Sequence, residues 1–143
     1  MRAMTSKSMV FREIGTLIVC VNSTTTPTDE EWNGYLQLIR KMVAQERFRS
    51  LAVTAGGGPT SKQRAAVQEV LRERAVTSAV VTDAPLVRGM VTALGWFNPA
   101  IRSFALNKGA GIQEALKYLG VEGFLATRIL LEVNAMQREV GTP

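Results

Sequence analysis

Histidine is absent from this chain of 143 residues, and its absence excludes several kinds of chemistry. A protein without imidazole has no histidine general base, no histidine pH switch and no histidine ligand for zinc. The 17 basic and 12 acidic residues give a net charge of +5, which is therefore almost constant between about pH 5 and 8. We expect neither a metal site nor a bound cofactor.

Cysteine is almost as scarce, because Cys20 is the one cysteine of the chain. A single cysteine cannot form an intramolecular disulfide, which favours a reducing compartment. Cys20 lies in an apolar run and has no basic neighbour in sequence that could lower the pKa of its thiol. We predict that it is a core residue. Since no nucleophile stands beside a base and no paired carboxylates are recognisable, we do not expect an enzyme.

Long apolar runs are missing as well. The longest uninterrupted apolar runs reach about five residues, whereas a helix that crosses a bilayer needs roughly 20. No basic segment followed by an apolar one marks a leader peptide. We expect a cytoplasmic protein of one domain without a membrane span, in which residues 1–8 form a flexible N-terminus.

What the sequence does contain is an alternation of strand and helix patterns. Two β-rich runs, Met9–Ile14 and Leu17–Asn22, predict a hairpin. The later predicted strands are 51–54, 78–82 and 101–106, and the predicted helices are 29–46, 60–74, 86–97, 112–119 and 122–139. This alternation predicts an α/β domain at 9–120 with a mixed, mostly parallel sheet of about five strands in the order ββαβαβαβα, and a C-terminal helical extension at 121–143.

The helix at 29–46 has a strong start signal. Thr28 can cap its first turn, and Glu31, three residues later, completes a capping box. Trp32, Tyr35 and Leu36 then begin an apolar stripe on one helix face. The stripe is interpreted as packing against the sheet, and an aromatic surface for a cofactor is the alternative.

Three consecutive glycines connect the strand at 51–54 to the next helix. The loop and the helix start consist of Gly56, Gly57, Gly58, Pro59, Thr60, Ser61 and Lys62. Backbone amides, two hydroxyls and an ammonium at a helix N-terminus can hold a phosphate or a carboxylate. The loop matches neither the P-loop pattern nor the dinucleotide pattern G-x-G-x-x-G. Two interpretations therefore remain: a turn capped by Thr60 or Ser61, or an anion site.

Apolar residues beyond what one helix face can bury indicate candidate partner surfaces. The consecutive residues Ile129, Leu130 and Leu131 cannot all face one surface, so the last helix lies in a deep groove or has a second apolar face, which favours a homodimer. An aromatic pair near the end of the helix at 86–97 is either a core lid or an anchor for a partner. The candidate partner-binding residues are Trp96, Phe97, Phe124, Ile129, Leu130 and Met136. No nucleic-acid motif accompanies the arginines, so we do not expect nucleic acid to bind.

Four local features together resemble a known family. They are the opening hairpin, the T-D-E-E-W helix start at 28–32, the S-A-V-V-T-D segment at 78–83, and I-R-S-F-A-L at 101–106 before a short helix. Over residues 9–120 the chain resembles SpoIIAA-like proteins of the STAS class (sulphate transporter and anti-sigma factor antagonist). The resemblance implies a non-enzymatic α/β domain that binds another protein or, in some relatives, a nucleotide or a lipid.

The resemblance also implies a regulated hydroxyl. In the anti-sigma factor antagonists a serine at the start of the helix after the third strand is phosphorylated, usually in an Asp-Ser context. Thr60 and Ser61 occupy that place here, but Gly58 and Pro59 precede them instead of an aspartate.

Two functions follow from the sequence. The first is a regulatory protein-interaction module in bacterial signalling, dimeric and without enzymatic activity. The alternative is a domain that binds a small anionic or lipid-like ligand with the glycine loop.

Overall fold

A five-stranded mixed sheet forms the centre of the protein in the computed structural model, which describes residues 7–45, 48–72, 74, 76–94 and 100–140. The strands are β1 (Met9–Ile14), β2 (Leu17–Asn22), β3 (Arg49–Thr54), β4 (Ser78–Val81) and β5 (Ile101–Phe104). The helices are α1 (Asp29–Met42), α2 (Ser61–Leu71), α3 (Pro85–Leu94), α4 (Ala110–Tyr118) and α5 (Gly123–Glu139). The predicted fold class is confirmed.

The strands are ordered in the sheet as they are along the chain. β1 pairs with β2 in antiparallel orientation, and β2, β3, β4 and β5 pair in parallel. Right-handed crossovers that step in one direction place their helices on the same face of a sheet. α1, α2 and α3 therefore share one face, and α4 and α5 cover the other.

The face under α4 and α5 holds the larger hydrophobic core. Large β-branched and leucine side chains of β2 and β3 point to it, and Ile129, Val133 and Met136 of α5 are completely buried against them. Burial of one such side chain contributes roughly 1.5–3 kcal/mol. α5 is thus part of the core of the domain, and its last turn is followed by a bridge between Val140 and Lys7.

The first helix is fixed to the first strand by its N-terminal cap. Thr28 Oγ1 accepts from the Glu31 N–H at 3.0 Å, and the Glu31 carboxylate accepts from the Thr28 N–H at 2.8 Å, which completes the predicted capping box. The same carboxylate accepts from the N–H groups of Ser8 and Met9 at 3.0 and 3.2 Å. Burial alone would raise the pKa of Glu31, but these hydrogen bonds lower it below its usual value.

Candidate functional site

Three crossover helices compete for space on one face of the sheet. Each helix connects two neighbouring parallel strands, and such strands lie about 4.8 Å apart. Packed helices, in contrast, need about 8–10 Å between their axes. The three helices therefore cannot all rest directly on these strands. In the structure α2 packs against α1, and α3 packs against β5.

Polar contacts fix the start of α2 to α1. Trp32 Nε1 donates to Gln63 O at 2.8 Å, and Gln63 Nε2 donates to Pro27 O at 3.0 Å. Thr60 Oγ1 accepts from the Gln63 N–H at 3.1 Å and thus caps α2. These bonds position α2 beside α1 rather than over the middle of the sheet.

The apolar face of α2 is consequently only half-buried. Its apolar residues are half-buried and pack against clusters that include side chains of α1; they are Ala66, Val67, Val70 and Leu71. Helical periodicity identifies residues that share a face, but it does not identify the surface on which that face packs. The result is an open space between α2 and the strands.

Small side chains form the floor of this space. β3 alternates strictly, so that Leu51 and Val53 point to the large core while Ser50 and Ala52 point to α2. Ser78 of β4 continues the row of small residues. The resulting cleft has a volume of about 720 Å³. Clefts of about 300–1,000 Å³ are typical of small-molecule sites.

The walls of the cleft are mainly apolar. α1 contributes aromatic side chains, α2 and α3 contribute aliphatic ones, and the glycine loop closes the end at which β2 and β3 terminate. The principal wall residues are Trp32, Tyr35, Val67, Leu71, Val87 and Val91. A molecule in the cleft would therefore contact hydrocarbon along most of its length.

The glycine loop is held by internal hydrogen bonds. The N–H of Gly56 donates to Thr54 Oγ1 at 3.1 Å, and the N–H of Gly57 donates to Ser23 O at 2.8 Å. Thr54 Oγ1 in turn donates to Gly57 O at 2.5 Å. Two of the amides proposed for an anion site thus have protein acceptors already. The loop forms the polar end of the cleft and is not an open anion cradle at these two amides.

Arg64 lies across the mouth of the cleft, between α2 and α3. Its Nη1 donates to Pro59 O at 3.0 Å and contacts Met90 Sδ at 3.1 Å, and its Nη2 donates to Ser61 Oγ at 3.1 Å. All three acceptors are neutral, and within the described residues no ion pair involves Arg64. Lys62, the cation of the predicted site, is exposed. Arg64 is therefore a half-buried cation at the polar end of the cleft.

Cys20 lies in the cleft wall and has a strongly perturbed thiol. Burial raises its pKa from 9.0 to about 12, and the hydrogen bond from Asn22 Nδ2 to Sγ lowers it only in part. Burial also raises the pKa of the neighbouring Tyr35. The thiol is protonated at neutral pH, and the prediction that Cys20 is a core residue is confirmed by its burial.

The described part of the chain contains neither a candidate metal site nor a candidate membrane-spanning helix. Within residues 7–45, 48–72, 74, 76–94 and 100–140, no cluster of acidic and cysteine side chains could hold a metal ion. Over the same residues, none of the helices combines the length and the apolar character that crossing a membrane requires.

Comparison with known proteins identifies the fold. No family model matches the chain, and no curated protein matches it with significance. The chain does match the crystal structure of an uncharacterized DUF3478-family protein with a SpoIIAA-like fold from Shewanella loihica PV-4, with a TM-score of 0.55 and 13% sequence identity. The match covers 83% of this chain and 98% of that chain.

The protein has a SpoIIAA-like fold. The fold predicted from the resemblance of the hairpin and the later segments to SpoIIAA-like proteins is thereby confirmed. At 13% identity the likeness shows the fold alone, so the function must be argued from the residues of this chain.

Within the SpoIIAA-like fold the predicted partner residues are dispersed. Phe124 is 97% exposed at the start of α5, and Leu130 is half-buried. Ile129 and Met136, two of the candidate partner residues, are completely buried in the core, because α5 packs its inner face on β1 and β2. The predicted pair at residues 96 and 97 lies outside the described residues.

Apart from Gly57 and Gly58 of the glycine loop, the residues that line the cleft are not among the site residues predicted from the sequence. Their signal is the alternation of large and small side chains in β3, where Ser50 and Ala52 stand between Leu51 and Val53. Such alternation normally indicates one buried and one exposed face. Here it indicates one closely packed face and one spacious face.

Proposed function

We propose that this SpoIIAA-like protein binds a small amphipathic molecule, with its apolar body in the cleft and an anionic group at Arg64. The observation that supports this most directly is the cleft of about 720 Å³ between α2 and the sheet. The proposal corresponds to the anionic or lipid-like ligand inferred from the sequence, but it moves the site from the glycine loop to the space beneath α2.

The apolar body of the ligand is inferred from the half-buried side chains of the cleft. Ala52, Val67 and Leu71 each retain exposed hydrocarbon surface there. Removing such surface from water stabilises a complex by roughly 25 cal/mol per Å². A ligand with an alkyl chain or flat rings would cover this surface, whereas a fully polar ligand would not.

The anionic group is inferred from Arg64. A guanidinium bonded to carbonyl, thioether and hydroxyl acceptors can exchange them for a carboxylate or phosphate, which binds it with two charge-assisted hydrogen bonds. Its position beside the glycine loop keeps the charged end of the ligand near solvent. The apolar chain would then extend along the strands.

A comparison of palmitate binding by the wild-type protein and by the variant Ala52→Phe tests the proposal. Titration calorimetry should detect palmitate binding to the wild-type protein, and the phenylalanine should fill the floor and weaken binding at least about tenfold. Ala65→Phe, on the exposed side of α2, is the matched control and should bind as wild type. Thermal unfolding should show that both variants are folded. Absence of palmitate binding to the wild type, or unchanged binding by Ala52→Phe, would refute the proposal.

We propose binding without chemical turnover. The thiol in the cleft, that of Cys20, stays protonated because burial raises its pKa to about 12. Asp83, the carboxylate closest to the end of β4, accepts a hydrogen bond from the Leu106 N–H at 2.9 Å. A cytoplasmic location is part of this proposal, since a buried, unpaired thiol suits a reducing compartment.

A second candidate function, a regulatory protein-interaction module that dimerises, is favoured by a different observation. Phe124 is 97% exposed and Leu131 is 65% exposed, and both belong to α5. Exposed large apolar side chains on one element are typical of a contact surface. This surface and the cleft lie on opposite faces of the sheet, so binding of a ligand and of a protein are compatible.

A further inference from the structure

We propose that Asn22 recognises a hydrogen-bond donor, a hydroxyl or an amide N–H, that the ligand carries next to its anionic group. This inference rests on the proposed function and specifies the chemical class of the ligand. It makes Asn22 a specificity-determining residue of the cleft.

The side-chain amide of Asn22 is buried and incompletely bonded. Asn22 is 7% exposed and belongs to the wall of the cleft at the end of β2. Its Nδ2 donates to Cys20 Sγ at 3.5 Å, a weak acceptor. Its Oδ1 is shielded from solvent and accepts no hydrogen bond from the described residues. Buried carbonyl oxygens are nearly always hydrogen-bonded in folded proteins, so an unbonded one on a residue of the cleft wall requires an explanation.

The free acceptor lies at the same end of the cleft as Arg64. Asn22 is paired with Thr54 in the register of β2 and β3, and Thr54 is bonded to the glycine loop. At the other end of the loop, Pro59 O, which directly follows Gly58 in the chain, accepts a hydrogen bond from Arg64 Nη1 at 3.0 Å. A continuous set of contacts thus connects the amide and the guanidinium around the loop.

These two groups have complementary requirements. Arg64 only donates hydrogen bonds, so it requires an acceptor, whereas Asn22 Oδ1 only accepts, so it requires a donor. The last torsion of an asparagine side chain is broad, so a small rotation presents Oδ1 to the cleft. An acyl chain whose carboxylate has a hydroxyl or an amide N–H beside it meets both requirements. A plain fatty acid meets only the first.

Three ligands with the same alkyl chain test the inference. Palmitate lacks the donor, α-hydroxypalmitate has a hydroxyl beside the carboxylate, and N-palmitoylglycine has an amide N–H there. Titration calorimetry with wild-type protein should give dissociation constants about tenfold lower for the two donor-bearing ligands than for palmitate, as expected for one additional hydrogen bond.

Asn22→Leu should abolish this preference while retaining palmitate binding, because leucine preserves the volume and removes the acceptor. Asn22→Val, which suits a strand, provides the same test if the leucine variant does not fold. Asn33→Leu, on the exposed side of α1, is the matched control and should keep the wild-type preference.

The possible results separate the two proposals. If wild-type protein binds all three ligands equally, or if the Asn22 variants keep the tenfold preference, the role of Asn22 is refuted and the amphipathic site stands. If wild-type protein binds none of the three, the proposed function itself fails, and with it the inference about Asn22.

Discussion

At the scale of single residues, the three consecutive glycines have different structural roles. A side chain at Gly57 would place its Cβ 2.0 Å from Thr25 O, so the close approach of two loops requires glycine there. Gly56 has a φ of +139°, a conformation that favours glycine for a different reason. Gly58 has ordinary space, since its added Cβ would lie 3.5 Å from the end of Met90. The sequence alone gives no means of distinguishing them.

Gly57→Ala should therefore destabilise the protein, whereas Gly58→Ala should not. The first substitution forces two backbone segments apart, which costs about 1–3 kcal/mol. The second restricts the unfolded chain and is expected to be neutral or to stabilise by about 0.4–1 kcal/mol. Urea unfolding of both variants, compared with wild type, gives the two free energies. Equal effects of the two substitutions would contradict the assigned contact with Thr25.

At the scale of secondary structure elements, the N-terminal end of α1 is a junction rather than a free helix end. One carboxylate, that of Glu31, accepts hydrogen bonds from its own cap residue and from two N–H groups at the start of β1. Loss of its charge should therefore loosen both the helix start and the first strand.

Glu31→Gln should lower the free energy of unfolding by about 1 kcal/mol at pH 7, the usual cost of a lost cap. The pKa of Glu31 is lowered in the folded state, so its contribution is complete above the unfolded-state value near 4.5 and is lost as the pH falls through the folded-state pKa. The difference between variant and wild type should thus be smaller at about pH 3 than at pH 7.

Urea unfolding at both pH values checks this pH dependence. Glu30→Gln, which changes an exposed carboxylate in the same helical turn, is the matched control and should have a smaller effect. A loss of stability in Glu31→Gln that is the same at both pH values would show that the charge is not responsible.

Local sequence patterns predicted the secondary structure elements well. They failed for features that depend on packing between elements. The bounds of β1 and β2 agree with the prediction, because a glycine turn between two β-rich runs is a local pattern. α1 and α2 were predicted to extend to residues 46 and 74 but end at Met42 and Leu71. α2 ends because Arg72 adopts a left-handed conformation, with φ of +47°, which its residue type does not indicate.

At the scale of the whole molecule, the outer surface of α5 is the candidate interface between two copies of the chain. The double substitution Phe124→Ser and Leu131→Ser removes its two most exposed apolar side chains. We expect wild-type protein to be a dimer and the double variant to be a monomer in light scattering coupled to size-exclusion chromatography.

A control substitution distinguishes this surface from apolar exposure in general. Leu86 is 90% exposed on α3, on the opposite face of the sheet, and Leu86→Ser should remain dimeric. A monomeric wild type, or a dimer that persists in the double variant, would rule out α5 as the interface.

The cleft itself could not be predicted from the sequence. Ser50, Ala52 and Ser78 are visible as small residues in strands, but their meaning depends on where α2 lies above them. That position depends on the buried contacts of Gln63 with α1, which connect residues far apart in the chain. The unbonded oxygen of Asn22 is likewise a property of three-dimensional contacts.

The agreement between strand order and chain order has a consequence for biosynthesis. Each strand after β1 is synthesised when its preceding neighbour in the sheet has already left the ribosome. Strand pairing can therefore advance from β1 to β5 during translation. α5 is the exception, because it packs against β1 and β2 but is translated after all five strands. Until it emerges, the apolar residues of these first two strands lack their final cover, and nascent chains should depend on chaperones until that point.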